Sequence, residues 1–458
     1  MTDPAHTATE IPATIYWLAT AIFVVSYALI VSERVHRTKV ALMGAALTIA
    51  LPILTQHEAF HSVPLGIDYN VIFLLISMMI IVNVMARSGV LEWAAIRSAK
   101  LAKGRPFPLM AAFAVLTAIA SAVLDNVTTV LVMAPVTLLI AEELEIDPIP
   151  FLMVEAFSAN IGGTATLIGD PPNMMIASKA RYGFMDFVIH LMPAVVLIMI
   201  AFLVMIGFVF RRRLRVLPEN RIRVMAMKDS HLIRDPVLMK KSLAVLGVTI
   251  VGFTLNGALH LEPTTIAFTG AAVLLLISGE HPHRILTEIQ WSTVFFFIGL
   301  FIIVGGLVKV GVIRDLSQFV IRVTRPTDHS LMTTSMVMLW FSGIASAIVD
   351  NVPCVAAINP VVLDMANTLF HHGGADPAAL PVATLHNPTL QPVWWALALG
   401  ASLGGNGTLV GASANVIVVG LAEAAGKRIS FLKFMAYGVP VMVMSLIISS
   451  AYLWLRYH

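Results

Sequence analysis

The chain has little charge and almost no cysteine. Only 12% of its 458 residues are Asp, Glu, Lys or Arg, roughly half the share of an ordinary soluble domain. The single cysteine, Cys354, excludes an intrachain disulfide and any Cys-based metal cluster. The opening segment MTDPAHTATEIPAT lacks the basic stretch of a signal peptide, and no clear cleavage site follows the apolar run after it, so that run reads as a retained first span. No Lys or Arg occurs between Arg105 and Lys179. What is present is apolar: 58% hydrophobic residues and a mean hydropathy of +0.88. This is the composition of an all-α, multi-pass membrane protein. The net charge of +3 sits in loops, where it reports topology rather than nucleic-acid binding.

Runs long enough to cross the bilayer fall near 15–33, 38–55, 69–87, 150–178, 185–210, 242–260, 263–279, 290–309, 395–424 and 434–455. Two further segments, 107–143 and 331–365, are too long for one span and have no polar loop dividing them. Each has a polar tip, DNVTT or DNVPC, so each reads as a re-entrant helical hairpin. With ten crossings and two hairpins that do not change sides, 22 of the 29 Lys and Arg residues share one face, which the positive-inside rule makes cytoplasmic. Both termini are then external, with residues 1–14 an outer tail and the basic linker 211–241 cytoplasmic.

The chain repeats itself. IASAVLDN from Ile119 returns as IASAIVDN from Ile344, and IGGTATLIG from Ile161 returns as LGGNGTLVG from Leu403. The halves, 15–210 and 242–458, hold five crossings each, and an odd number inverts one half relative to the other. The offset between the halves grows across HHGGADPAALPVATLHNPTLQP, which reads as an inserted surface loop.

The chemistry-bearing residues lie at the tips and in two Gly-rich helix interruptions. Paired glycines Gly162–Gly163 and Gly404–Gly405 weaken helix continuity, and unwound backbone at membrane depth is tolerated only where it is buried or lines a cavity. Beside the breaks, Ser158, Asn160, Thr164, Asn406 and Thr408 offer neutral hydrogen-bonding groups, joined at the tips by Asn126, Thr128, Thr129 and Asn351. Asp125 and Asp350 are candidate proton- or cation-coupling carboxylates, because an ionisable group at bilayer depth marks a functional site; the competing reading is a helix N-cap. Glu155, one turn before the first break, is a second coupling candidate. Asp170 is grouped with these coupling candidates, although it precedes Pro171–Pro172, a pattern suited to an exposed helix start, and Ala412 stands at its repeat position. Cys354 and His190 read as buried core residues. No metal site or cofactor is indicated.

At these motifs, DNVTT with NIGGTATLIGDPPN and DNVP with GGNGTLVGASAN, the chain resembles the ArsB/P-protein branch of the ion-transporter superfamily. The resemblance implies inverted repeats, each with a hairpin and a discontinuous helix, and an elevator-like motion. The expected location is the inner membrane, and the expected partners are a small inorganic solute, protons and lipid, with an ATPase subunit and a second copy of the chain as further candidates and no nucleic acid. The leading expectation is proton-coupled export of arsenite, with antimonite. Neutral arsenous acid suits amide and hydroxyl partners and needs no basic residue. Sodium/proton antiport of the NhaD type and anion transport of the P-protein type stay open. An intramembrane aspartyl protease is disfavoured, since its Tyr-Asp and Gly-Leu-Gly-Asp contexts are absent; a channel is separable only by flux.

Overall fold

Wherever the apolar runs exceed about 18 residues they form helix, since in lipid the backbone must satisfy its own hydrogen bonds. The computed structural model describes residues 12–32, 34–62, 64–210, 216–227, 233–326 and 331–458. Residues 1–11 of the segment expected to form an outer tail, and 211–215 and 228–232 of the basic linker, lie outside the described residues. Among those described there is no strand, and ten helices are long and apolar enough to cross a membrane.

Two compact units divide the chain. The first comprises Met1–Asp68, Trp291–Val323 and Pro360–Ala379. Its helices Ala13–Ser32 and Trp291–Val310 meet around a core of Ala19, Ile22, Ile53, Leu307, Val310, Ile313 and Val361, and the helix Arg37–Ala50 packs on both. The helix at 38–55 is shorter than its apolar run, ending at Ala50. The turn after it leads to a short helix, Gln56–His61, started by a capping box between Thr55 and Glu58. An amphipathic helix, Val312–Thr324, carries Arg314, Asp315 and Arg322; its mixed charge hides it from a search for apolar runs.

The second unit comprises Tyr69–Gln290, Thr324–Asn359 and Leu380–His458. It contains the first hairpin, with arms Pro106–Val123 and Asn126–Glu143, and the first arm of the second, Met332–Val349. Asn351–His371 is the second arm, six residues longer than the apolar run suggests. The first interrupted helix runs Ile149–Gly163 and resumes at Pro171–Ala180; the second runs Gln391–Gly404 and resumes at Ser413–Ala424 through two single-turn 3-10 segments. In Ile149–Gly163 every residue but Pro150 is buried, and in Gln391–Gly404 every one but Gln391. A helix apolar on all sides belongs in an interior. By contrast Phe184–Phe210 leaves Val196, Leu197, Ile200, Val204 and Phe208 exposed, as a lipid-facing helix should.

The inserted segment is not wholly a free surface loop. Its second-unit part forms a short helix, Val382–Leu385, buries Leu380, Leu385 and Leu390, and stacks His386 on Tyr182 with ring centroids 4.2 Å apart. The apolar leucines spaced through the segment drive that docking.

Candidate transport site

Four helix starts and two helix breaks supply the polar groups of the second unit. Asp125 caps the Asn126–Glu143 helix, its Oδ1 accepting from the Thr128 amide at 2.8 Å. Asp350 accepts from the Val352 amide at 3.2 Å and from the Ser413 hydroxyl at 3.2 Å. Both candidate coupling carboxylates therefore act as caps. Their backbones differ: Asp125 is extended, whereas Asp350 has φ 88°, a region that non-glycine residues occupy at a cost of about 1–3 kcal/mol and mostly at functional positions.

The breaks are built the same way twice. Ser121 donates to the Ala159 carbonyl at 2.6 Å, and Ser346 to Ala401 at 2.5 Å. Thr166 donates to Ala122 and Thr408 to Ala347, each at 2.5 Å. Asn173 reaches the carbonyls of Thr164 and Thr166, as Asn415 reaches those of Gly405 and Thr408. Gly162 lies against the Ala118 backbone and Gly404 against that of Gly343, so close that a Cβ would come within 2.1 and 2.2 Å of the carbonyl oxygens. These contacts explain the glycines: they let helix approach helix, while Asn and Thr side chains satisfy the carbonyls freed by unwinding.

The centre of the network is Asp170. It is fully buried, which corrects the expectation of an exposed helix start; Pro171 does begin a helix, but that start is enclosed by both tips. Asn126 donates to its Oδ1 at 3.2 Å, and Asn351 to Oδ1 and Oδ2 at 3.1 and 3.0 Å. Asn126 also donates to Asn160 Oδ1 at 3.2 Å, and Asn160 in turn to Asn406 and Asn415 at 2.9 and 3.1 Å. One continuous amide and carboxylate chain thus joins both tips to both breaks. Asp125 and Asp350 lie within electrostatic range of Asp170.

The other candidate residues distribute around this chain. Thr164 donates back to the Asn160 carbonyl at 2.7 Å. Gly163 and Gly405 pack against Gly169 and Gly411 across their own breaks. Thr129 and Ser158 are fully buried, and neither hydroxyl has a protein partner, nor does Asn406 Nδ2. Glu155 lies apart from the network, bonded to Thr137. Cys354 is buried, its Sγ 3.6 Å from the Ser342 carbonyl. His190 bonds Tyr457 and stacks on Trp395. Asn173, Ser121 and Ser346 were missed by sequence reasoning, although identity between the halves at each position was a usable signal.

No Lys or Arg is buried among the described residues, and no group of three His, Cys, Asp or Glu there could hold a metal ion. The arrangement can bind a proton, a cation or a neutral polar solute; it offers no fixed positive charge to a free anion.

A helical multi-pass fold with paired polar helix breaks at its core defines a membrane transporter, not an enzyme. The chain belongs to the citrate transporter family CitMHS, whose pattern matches residues 27–383. An uncharacterized transporter of Mycobacterium tuberculosis is 43% identical over 96% of this chain and 98% of its own length. The human P protein is 31% identical over 95% of this chain, which spans 59% of that longer protein. Among solved structures, MtrF of Neisseria gonorrhoeae, described as illuminating a class of antimetabolite efflux pumps, has a TM-score of 0.61 at 12% identity over 97% of both chains. The YdaH transporter of Alcanivorax borkumensis has a TM-score of 0.53 at 14% identity over 96% of this chain and 98% of its own.

Proposed function

We propose that this protein is a secondary active transporter of two inverted halves, in which proton entry drives export of a small polar solute through the network centred on Asp170. The observation that carries the reading is that one buried carboxylate holds both hairpin tips, through Asn126 and Asn351, with no buried basic residue to neutralise it. A carboxylate so placed is expensive unless it exchanges its charge state or its partner during a cycle. Arsenous acid, with antimonous acid beside it, is the solute class we assign: neutral, hydroxylic, and matched to Asn406 Nδ2 and the Ser158 and Thr129 hydroxyls, buried groups without a protein partner. Citrate, the substrate in the family's name, would need an accompanying cation here, since three carboxylates of its own would face Asp125, Asp170 and Asp350. Sodium/proton exchange is the second reading, favoured by that same acid-rich, base-free composition. The re-entrant course of the hairpins, external termini, a cytoplasmic linker, inner-membrane placement and elevator motion belong to the same proposal.

The test is flux in proteoliposomes under an imposed pH gradient, with arsenite, sodium, citrate and magnesium citrate as separate probes. Arsenite movement that follows the gradient supports the reading. Sodium-driven pH change without arsenite flux would replace it by the second, and flux of any probe at channel-like rates without a gradient would remove both.

A further inference from the structure

Glu155 is the only glutamate buried among the described residues, and its relative exposure is 0%. The Thr137 hydroxyl donates to its Oε1, while Oε2 is enclosed without a protein partner. No Lys or Arg is buried among the described residues to pair with it, and Thr137 is its hydrogen-bond partner. A permanently charged carboxylate in that setting would be left uncompensated. A group that takes up and gives off a proton would not.

Its position along the hairpin arm adds direction. Asn126, in the central network, begins the Asn126–Glu143 helix, and Thr137 lies 11 residues further on, about 16 Å at 1.5 Å per residue. Thr129 and Thr137 share a face of that helix, as Glu155 and Ser158 share a face of Ile149–Gly163. The bond between Thr137 and Glu155 turns those two faces toward each other. Along the two helices Thr129 and Ser158, two of the fully buried hydroxyls without partners, lie between the Thr137–Glu155 bond and the Asn126–Asn160 bond of the Asp170 network. At the far end of the arm the helix Pro218–Ala226 of the basic linker docks: Asn220 donates to the Leu144 carbonyl at 3.1 Å, and Arg223 to the Glu143 carbonyl at 3.0 Å and to Glu145 at 2.7 Å.

We infer that Glu155 is a proton-binding site distinct from the Asp170 network, placed on the arm between that network and the docked helix of the basic linker. The use made of the proton rests on the transport reading above; its binding at Glu155 does not.

The test is pH-difference infrared spectroscopy of the full chain in lipid, across roughly pH 5 to 9. A carboxylic C=O band that titrates in this window, moves on 13C-labelling of glutamate, disappears in Glu155→Gln and survives in Asp170→Asn is the expected result. Labelling identifies the band in the unmutated protein should Glu155→Gln fail to fold. Thr137→Val should displace its midpoint by about one pH unit, the equivalent of one hydrogen bond. No titrating glutamate band, or one that persists in Glu155→Gln, overturns the assignment. In vesicles, Glu155→Gln should lower pH-driven arsenite or sodium flux at least tenfold while leaving unlabelled-for-labelled exchange of the same probe within about twofold. If wild type moves neither probe under a gradient, the transport reading fails while the infrared result still decides Glu155.

Discussion

Asn351 donates to both oxygens of Asp170, at 3.1 and 3.0 Å, across 181 positions of sequence. With Asn126 the carboxylate accepts three hydrogen bonds, and bonds to a charged group contribute about 1.5–3 kcal/mol each. Asp170→Asn keeps the shape but turns an amide NH2 toward two amide donors. It should lower stability by about 2–4 kcal/mol and abolish coupled flux, both measured at matched protein levels by thermal unfolding in detergent and by vesicle assay. Flux and melting temperature at wild-type values would mean that the tips do not depend on this carboxylate.

Gly162 and Gly404 make the closest backbone approaches at the breaks, and the atoms a Cβ would meet, the carbonyls of Ala118 and Gly343, are backbone that cannot swing away. Alanine at either position should cost about 1–3 kcal/mol or more, the usual price of overpacking. Gly420, in the helix Ser413–Ala424, has nothing within 4 Å of its would-be Cβ, so Gly420→Ala should stabilise by up to about 1 kcal/mol. Equal melting temperatures for Gly162→Ala and Gly420→Ala would contradict the packing.

Much of this site was legible because an apolar background makes polar residues conspicuous. Asp-Asn in the middle of a long hydrophobic run marks a helix restart, and Asp125 and Asp350 do cap the helices that follow them. The glycine pairs stand where the helices stop. The exposure of Asp170 was misread because its local signal, Asp-Pro-Pro, reports only that a helix begins. Whether that beginning is exposed is decided by Asn126 and Asn351, 44 and 181 residues away. The helices Val90–Leu101 and Val312–Thr324 were invisible for a different reason: interspersed Glu, Asp, Arg and Lys break the apolar run on which the search for spans relies.

Glu58 links a turn of the first unit to the end of a long helix, accepting from Lys309 Nζ at 2.7 Å. Burial alone would push its carboxyl up; the Lys309 ammonium and the amide and hydroxyl of Thr55 outweigh it and hold the carboxyl below its ordinary value. A group depressed in the folded state contributes stability above its unfolded value of about 4.3 and loses that contribution as pH falls through the folded value. The pair is partly exposed, with side-chain exposures of 31% and 27%, so screening limits it to under about 1 kcal/mol. Lys309→Met should therefore lower the melting temperature at neutral pH, and by less at an acid pH low enough to protonate Glu58 in both proteins. An equal loss at both pH values would assign the effect to packing instead.

Asn160 is both donor and acceptor in the network, and that sets the order of its substitutions. Its Nδ2 serves the Oδ1 atoms of Asn406 and Asn415, while its own Oδ1 receives Asn126. Asn160→Ala strands those partners at about 1–3 kcal/mol for each unsatisfied group. Asn160→Asp preserves the acceptor toward Asn126 but removes both donated bonds, points a carboxylate at two amide oxygens, and adds a fourth acid to a region already holding Asp125, Asp170 and Asp350. Aspartate should be the more damaging change although it is closer in shape, by at least about 1 kcal/mol in thermal unfolding at neutral pH, and the gap should narrow in acid as the new carboxyl is neutralised. An aspartate variant more stable than the alanine one at neutral pH would show that the amide group of Asn160 matters less than its volume.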